Sequence, residues 1–147
     1  MAPRFTIRPF ILEDTEQVVS LWKNTGLTRP WNDPYKDIQR KMDEEPELFL
    51  IGELNGHIIG SAMIGYDGHR GWLYYLAIDE QHRQKGYARE LIDAAERLLR
   101  EKGCPKIHLM VRRDNEHVIG LYEHLGYSEV DTVVLGKRLI SDEVSSR

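Results

Sequence analysis

The spacing of apolar residues along the chain alternates between two periods. Phe5-Thr6-Ile7-Arg8 alternates apolar and polar and predicts a short first strand. A helix follows from about Glu13 to Asn24, with Val18, Val19, Leu21 and Trp22 apolar, acidic residues in its first turn and Gly26 past its end. Leu27 to Pro34 holds two prolines and an Asn-Asp pair and reads as a loop. Asp33 suits the N-cap and Pro34 the first position of a second helix running to about Glu44. Leu48–Leu54 and His57–Ile64 are two strands joined by Asn55-Gly56, the dipeptide preferred in a two-residue hairpin turn. The apolar run Trp72–Ile78 adds a third strand, so the sheet centre is antiparallel and local. From Tyr87 to Lys102, Ala88, Leu91, Ile92, Ala95, Leu98 and Leu99 form one stripe at helical spacing, and Gly103 stops it. Pro105–Val111 is a strand, which makes the preceding helix a parallel crossover. Asn115–His124 is a short helix capped by Gly126. A last strand starts at Tyr127 and includes Thr132–Leu135, and residues 141–147 read as a frayed polar tail. There is no internal repeat, linker or second domain, so residues 1–147 are expected to form a single domain.

The stretch of chemical interest is Arg83-Gln84-Lys85-Gly86-Tyr87-Ala88, between the third meander strand and the long helix. The first turn of a helix has N–H groups without intrahelical partners, and the helix dipole adds positive character there. Gly86 lets a phosphate approach the backbone, Ala88 keeps the next turn small, and Arg83 and Lys85 add charge. On these six residues alone a phosphate cradle and an ordinary solvated turn both stand.

Composition narrows the setting. The chain has 147 residues, 41% hydrophobic and 30% charged, enough for one domain with a real core. A net charge of −4 argues against a general nucleic-acid binder. A single cysteine, Cys104, excludes an internal disulfide and fits a reducing compartment; before Pro105 at a strand start it reads as a small buried residue. No apolar run approaches the roughly 20 residues that span a bilayer, and Met1–Phe5 opens without a signal-like apolar segment. The expected location is the cytoplasm, with no membrane partner.

Two spacings taken together, Arg83-x-x-Gly86-x-Ala88 and Asn115-x6-Tyr122-x3-Gly126-Tyr127, resemble the GNAT superfamily of acetyl-CoA-dependent N-acetyltransferases. The order of elements matches over nearly the whole chain. Segments such as Arg29–Pro34, Tyr66–Gly71, Gly103–Ile107 and Leu135–Ile140 are similar to the small bacterial YpeA-type branch. The resemblance implies an α/β (α+β) fold: a mixed sheet, an antiparallel meander followed by a parallel crossover, with helices on both faces. It implies acetyl-CoA as co-substrate, no metal, and an amine acceptor of open identity, whether small molecule, peptide or protein. Arg83, Gln84, Lys85, Gly86, Tyr87 and Ala88 would cradle the CoA pyrophosphate. Ala77 and Ile78 would pair with the pantetheine arm as an added strand would. Asn115 would hydrogen-bond that arm, and Tyr122 would place its hydroxyl near the thioester sulfur as the catalytic acid; packing alone is the other reading of Tyr122 as a helix aromatic. A backbone N–H at the end of the central strand, that of Ile78, would meet the oxyanion.

The general base stays open. Relatives that acetylate ribosomal proteins carry a Glu on the strand before the Asn, where this chain has Met110. His69, Asp67, His108, Glu53 and a water chain are the candidates. For the acceptor, Arg29, Trp31, Asn32, Asp33 and the Tyr66–Arg70 loop are in contention, with Asp33 or Asp67 expected to attract a cationic amine; Trp31 is either a binding surface or packing under its loop. A non-catalytic acyl-CoA sensor and a partner-binding domain with an empty turn are the rival functions. Val133–Leu139 could pair at an edge in a homodimer.

Overall fold

The computed structural model describes residues 4–143. Of the expected polar tail, residues 144–147 lie outside the described residues. By its contacts the chain forms two compact units, residues 4–109 with 142–143, and Met110–Ser141.

The first unit is built on a five-stranded sheet in the order β1 (Phe5–Pro9), β2 (Phe49–Leu54), β3 (His57–Tyr66), β4 (Gly71–Ile78), β5 (Ile107–Leu109). β1 to β4 pair antiparallel and β4 to β5 parallel. Asn55 and Gly56 have φ of 54° and 78°, the left-handed pair that a two-residue hairpin turn requires. Among the described residues this unit has three α-helices: α1 (Thr15–Asn24), α2 (Pro34–Glu44) and α3 (Tyr87–Glu101). Asp33 caps α2 as its sequence predicts, its Oδ1 accepting the N–H groups of Tyr35 and Lys36.

Adjacent residues of β3 show the two faces. Ser61 meets Trp22 of α1, whereas a Cβ at Gly60 would touch Ile78 and Leu91 of α3. The α1–α2 face is closed by Val18, Val19, Leu21, Trp22 and Ile38 against Phe49, Ile51, Ile58, Met63 and Ala77. The rings of Phe10, Phe49, Trp22 and Tyr75 form a stack across it. Burial of each such side chain contributes about 1.5–3 kcal/mol. On the other face Leu91, Ile92, Ala95 and Leu99 are buried, the stripe that the helical spacing predicts. Helices on both faces of a mixed sheet are therefore observed.

In the second unit α4 (Glu116–His124) follows Asn115 at its N-cap. The expected last strand from Tyr127 does not form: residues 127–140 are irregular, and Val133 and Leu135 are 81% and 91% exposed. Strand propensity in β-branched residues is realised only when a neighbour supplies a ladder, and among the described residues none pairs with this segment. The frayed-tail expectation fails at Asp142. Its carboxylate is buried, bound by both Nη atoms of Arg40 at 2.6 and 3.1 Å, and it accepts the Asp33 N–H at 3.0 Å.

Candidate active site

β4 carries an irregularity that decides which of its backbone groups face outward. Met63 lies opposite Tyr74, but Ser61 lies opposite Ala77, so Ala62 alone faces the two residues Tyr75 and Leu76. This is a β-bulge, and Tyr75 at its centre has φ +51°. A non-glycine residue there costs on the order of 1–3 kcal/mol and persists only where its surroundings impose it. Gly71 donates its N–H towards β5, to the Lys106 carbonyl. Simple alternation would also turn residues 77 and 79 that way. The extra residue reverses the sense: Asp79 donates to Ile59 across β3, so Leu76 and Ile78 point to the β5 side instead. On that side the ladder stops early. Only Gly71, Trp72 and Leu73 pair with β5. The rest of β4 thus offers an unladdered edge, with Ala77 and Ile78 at its end, their side chains buried.

The turn into α3 continues from that edge. Arg83 folds back and donates its Nε–H to the Ile78 carbonyl at 3.1 Å. Gln84 and Gly86 both have left-handed φ, 63° and 82°, and no side chain caps the helix at Gly86. A Cβ at Gly86 would meet nothing within 4 Å, so the concavity is open as well as curled. Arg83, Gln84 and Lys85 are exposed, while Tyr87 and Ala88 are half-buried. The Tyr87 ring stacks on Phe5 at 4.3 Å, and Phe5 lies so close over Gly52 that any Cβ there would clash at 2.3 Å. This fastens the helix start to β1 and β2. Backbone N–H groups with basic flanks, next to an open strand edge, fit a phosphate-bearing chain laid along β4.

Beneath the bulge lies a groove of about 590 Å³, walled by α2 and by Leu27, Met63, Tyr74 and Tyr75. The Tyr75 hydroxyl donates to Asp37 Oδ2 at 2.6 Å, and its pKa is raised by burial and by that carboxylate. Arg40 bridges Asp37 and Asp142. Lys41 is held by Glu45 and the Ile64 carbonyl. Glu44 adds an exposed carboxylate to the wall. Of the residues in contention for the acceptor side, Asn32 lines this groove. Asp33 is occupied as a helix cap, Arg29 closes its own loop on the Gly26 and Thr28 carbonyls, and Trp31 is 47% exposed and not packed beneath the loop.

The base candidates separate. Glu53 is ion-paired with Arg8 towards the β1 side of the sheet. Asp67 caps its turn, and the N–H groups of Arg70 and His69 hold its carboxyl below the usual range. His69 is exposed beside Arg70, with Nδ1 3.5 Å from the guanidinium. His108 packs edge-on to Trp72; burial, then Lys106, Arg70 and His69, lower its pKa. None of the four lines the groove.

In the second unit Asn115 is exposed at the start of α4. Tyr122 is buried within the helix, its ring edge-on to Tyr127 at 5.6 Å, and burial pushes its pKa up to about 12. Its hydroxyl stays a proton donor throughout the neutral range. The bulge, Ser61 and Asp37 were not found from the sequence: Trp72–Ile78 is apolar throughout, and a continuous apolar run gives no sign of a shifted register.

A mixed sheet with an open strand edge leading to a glycine turn at a helix start is the architecture of an acyl-CoA-dependent class of enzyme. Residues 15–127 match the model of the acetyltransferase (GNAT) family. The chain is 53% identical over 137 residues to an acetyltransferase of Yersinia pestis (strain Pestoides F), covering 93% of this chain and 97% of that one. It is 55% identical over 136 residues to an acetyltransferase of Pectobacterium atrosepticum, covering 92% and 96%. Among solved structures it is similar to Ard1 from Thermoplasma volcanium, with a TM-score of 0.74 and 30% identity over 84% of this chain and 82% of that one. An aminoglycoside N-acetyltransferase in complex with CoA shares the fold at a TM-score of 0.74 and 20% identity, over 95% and 98%. The chain belongs to the GNAT family: it is an acyltransferase that moves an acetyl group from acetyl-CoA to an amine. No helix among the described residues is long and apolar enough to cross a membrane, and no group of three or more potential metal ligands occurs among them.

Proposed function

We propose that acetyl-CoA lies with its pyrophosphate on the Arg83–Ala88 turn and its pantetheine arm along the β4 edge beyond Leu73, with the thioester carbonyl at the Ile78 N–H. The observation that carries this reading is the early end of the β4–β5 ladder. It leaves main-chain groups that only an extended partner can satisfy in the manner of a strand. Asn115 hydrogen-bonds the arm. The acceptor amine enters through the groove beside Tyr74 and Tyr75. Water first takes the ammonium proton; the neutral nitrogen attacks the thioester carbonyl, the oxyanion is held by the Ile78 N–H, and the C–S bond breaks as Tyr122 gives its proton to the CoA sulfur. Water takes the proton released by the attacking nitrogen and returns one to Tyr122. Glu44, the groove carboxylate that neither Arg40 nor Lys41 pairs with, favours an acceptor that carries positive charge.

Thermal unfolding with and without acetyl-CoA tests the placement. At about a hundred times its Kd, a ligand stabilises by about 2.7 kcal/mol, a rise of several degrees in a chain of this size. Gly86→Glu places a carboxylate in the open turn, and the rise is expected to vanish there. A rise of equal size in that variant would put the ligand elsewhere.

A further inference from the structure

The strained bulge at Tyr75 is held by groups that the reaction itself does not use. Ser61 is fully buried on β3, and its hydroxyl donates to the Tyr75 carbonyl at 2.7 Å. Trp22 of α1, also fully buried, donates its Nε1–H to the same hydroxyl at 2.9 Å. An indole N–H has no acceptor capacity, so Ser61 must accept from Trp22 and its own proton is committed to Tyr75. The Trp22 ring stacks on the Tyr75 ring at 3.8 Å, and the Tyr75 hydroxyl is tied to Asp37 of α2. The backbone and side chain of one residue at φ +51° are thus fixed from three elements. One extra residue at this point decides whether Leu76 and Ile78, or their neighbours, turn to the open edge.

We infer that Ser61, with Trp22 behind it, is a positioning residue for acetyl transfer: the pair locks the bulge so that the N–H of Ile78 is aimed at the thioester oxygen. This rests on the placement of acetyl-CoA proposed above. A bulge free to relax would return Tyr75 to ordinary extended backbone and slide the register of β4 by one, turning the donor towards β3. The CoA moiety would still bind, because its pyrophosphate is held by the separate Arg83–Ala88 turn. The acetyl group would lose its partner.

The test needs no acceptor. Binding of CoA and of [1-13C]acetyl-CoA is measured by calorimetry, and the carbonyl carbon shift of the bound thioester by NMR. The parent is expected to prefer acetyl-CoA and to move the carbonyl signal downfield, as a hydrogen-bonded carbonyl does. In Ser61→Ala the preference should fall about fivefold, the worth of one hydrogen bond, and the signal should return towards its free position, with CoA affinity within twofold of the parent. Trp22→Phe keeps an aromatic ring against Tyr75 but removes the pyrrole part with its Nε1–H, and should move both readouts the same way by less. Ser61→Thr retains the hydroxyl and should restore them. Leu99→Val, on the opposite face of the sheet, serves as a control for lost core packing and should lower the unfolding temperature without changing either readout. An unchanged carbonyl shift and preference in Ser61→Ala and Trp22→Phe would overturn the inference. A parent that binds neither ligand would remove the proposed placement, and this inference with it.

Discussion

Arg83 donates its Nε–H to the carbonyl of Ile78 at 3.1 Å, so the side chain that opens the glycine turn also holds the end of the strand leading into it. The guanidinium has further N–H groups free to face an anion while Nε is engaged. Lysine carries the charge on one nitrogen and cannot divide it between two such tasks. Arg83→Ala is expected to weaken acetyl-CoA binding about tenfold, in keeping with loss of a charge-assisted contact. Arg83→Lys should recover less than half of that free energy by calorimetry. A lysine variant that binds like the parent would reduce Arg83 to a diffuse charge.

Gly86 separates strain from obstruction. Its φ is +82°, yet a Cβ would meet nothing within 4 Å. Gly86→Ala therefore costs backbone energy alone, about 1–2 kcal/mol of stability by denaturant unfolding. Acetyl-CoA affinity should change by less than threefold, in contrast to the Glu variant. A large affinity loss with alanine would mean that the phosphate sits against the Gly86 α-carbon itself.

The helices, the hairpin and the order of elements were readable because each rests on local rules. Asp33-Pro34 marked a helix start, Asn55-Gly56 a turn, and the Leu91–Leu99 stripe a buried face. The glycine turn was legible for the same reason, since Gly86 lies where strand period gives way to helix period. What escaped depends on contacts distant in sequence. Asp142 was assigned to a frayed tail, but its partner Arg40 lies 102 residues away. The bulge at Tyr75 is fixed by Ser61 and Trp22, and no spacing within Trp72–Ile78 marks it. The strand expected at Thr132–Leu135 shows the reverse error, a local propensity without a neighbour to pair with.

A second buried carboxylate, Asp14, paired with Arg8 six residues before it in the chain, should set the acid limit of stability. Both Nη atoms of Arg8 bind the buried Asp14 carboxylate, at 2.7 and 2.9 Å, and Asp14 also accepts the Ile11 N–H. The hydrogen bonds from Arg8 hold the Asp14 carboxyl below its usual pKa, against the opposing effect of burial. With the folded pKa below the unfolded value of about 3.9, the contribution is present above that value and is lost as pH falls through the folded pKa. Asp14→Asn should therefore destabilise by about 1–3 kcal/mol at pH 7 and by less at about pH 3, below the unfolded pKa. An equal loss at both pH values would assign the effect to packing.

Charge in the groove gives a prediction about acceptors. Arg40 is shared between Asp37 and Asp142, and Lys41 is held by Glu45, so Glu44 contributes a carboxylate not offset by either cation. Glu44→Lys is expected to raise KM for a dicationic amine about two- to fivefold, the range for an exposed charge pair. Its effect on a monoamine should be smaller, and kcat should hold. Equal KM values in parent and variant for both amines would exclude Glu44 from acceptor recognition.

Tyr122 has a pKa pushed up to about 12 by burial, so its phenol remains protonated far above neutrality. Transfer to a departing thiolate, whose free pKa is about 8.5, is uphill from this phenol, so it completes only with the proton that water returns to Tyr122. Burial thus keeps the proton on the oxygen until C–S cleavage raises charge on sulfur, and the contribution takes the form of hydrogen bonding that strengthens as the bond breaks. Tyr122→Phe should retain acetyl-CoA affinity and lose roughly ten- to thousandfold in turnover, within or near the range for such groups. The parent should show no fall in kcat from Tyr122 ionisation below about pH 11. An acetyl thioester with a less basic thiol leaving group should narrow the gap between parent and variant, because a better leaving group needs less help. A gap that is the same for both thioesters would leave Tyr122 a packing residue beside Tyr127, and the sulfur would need another donor.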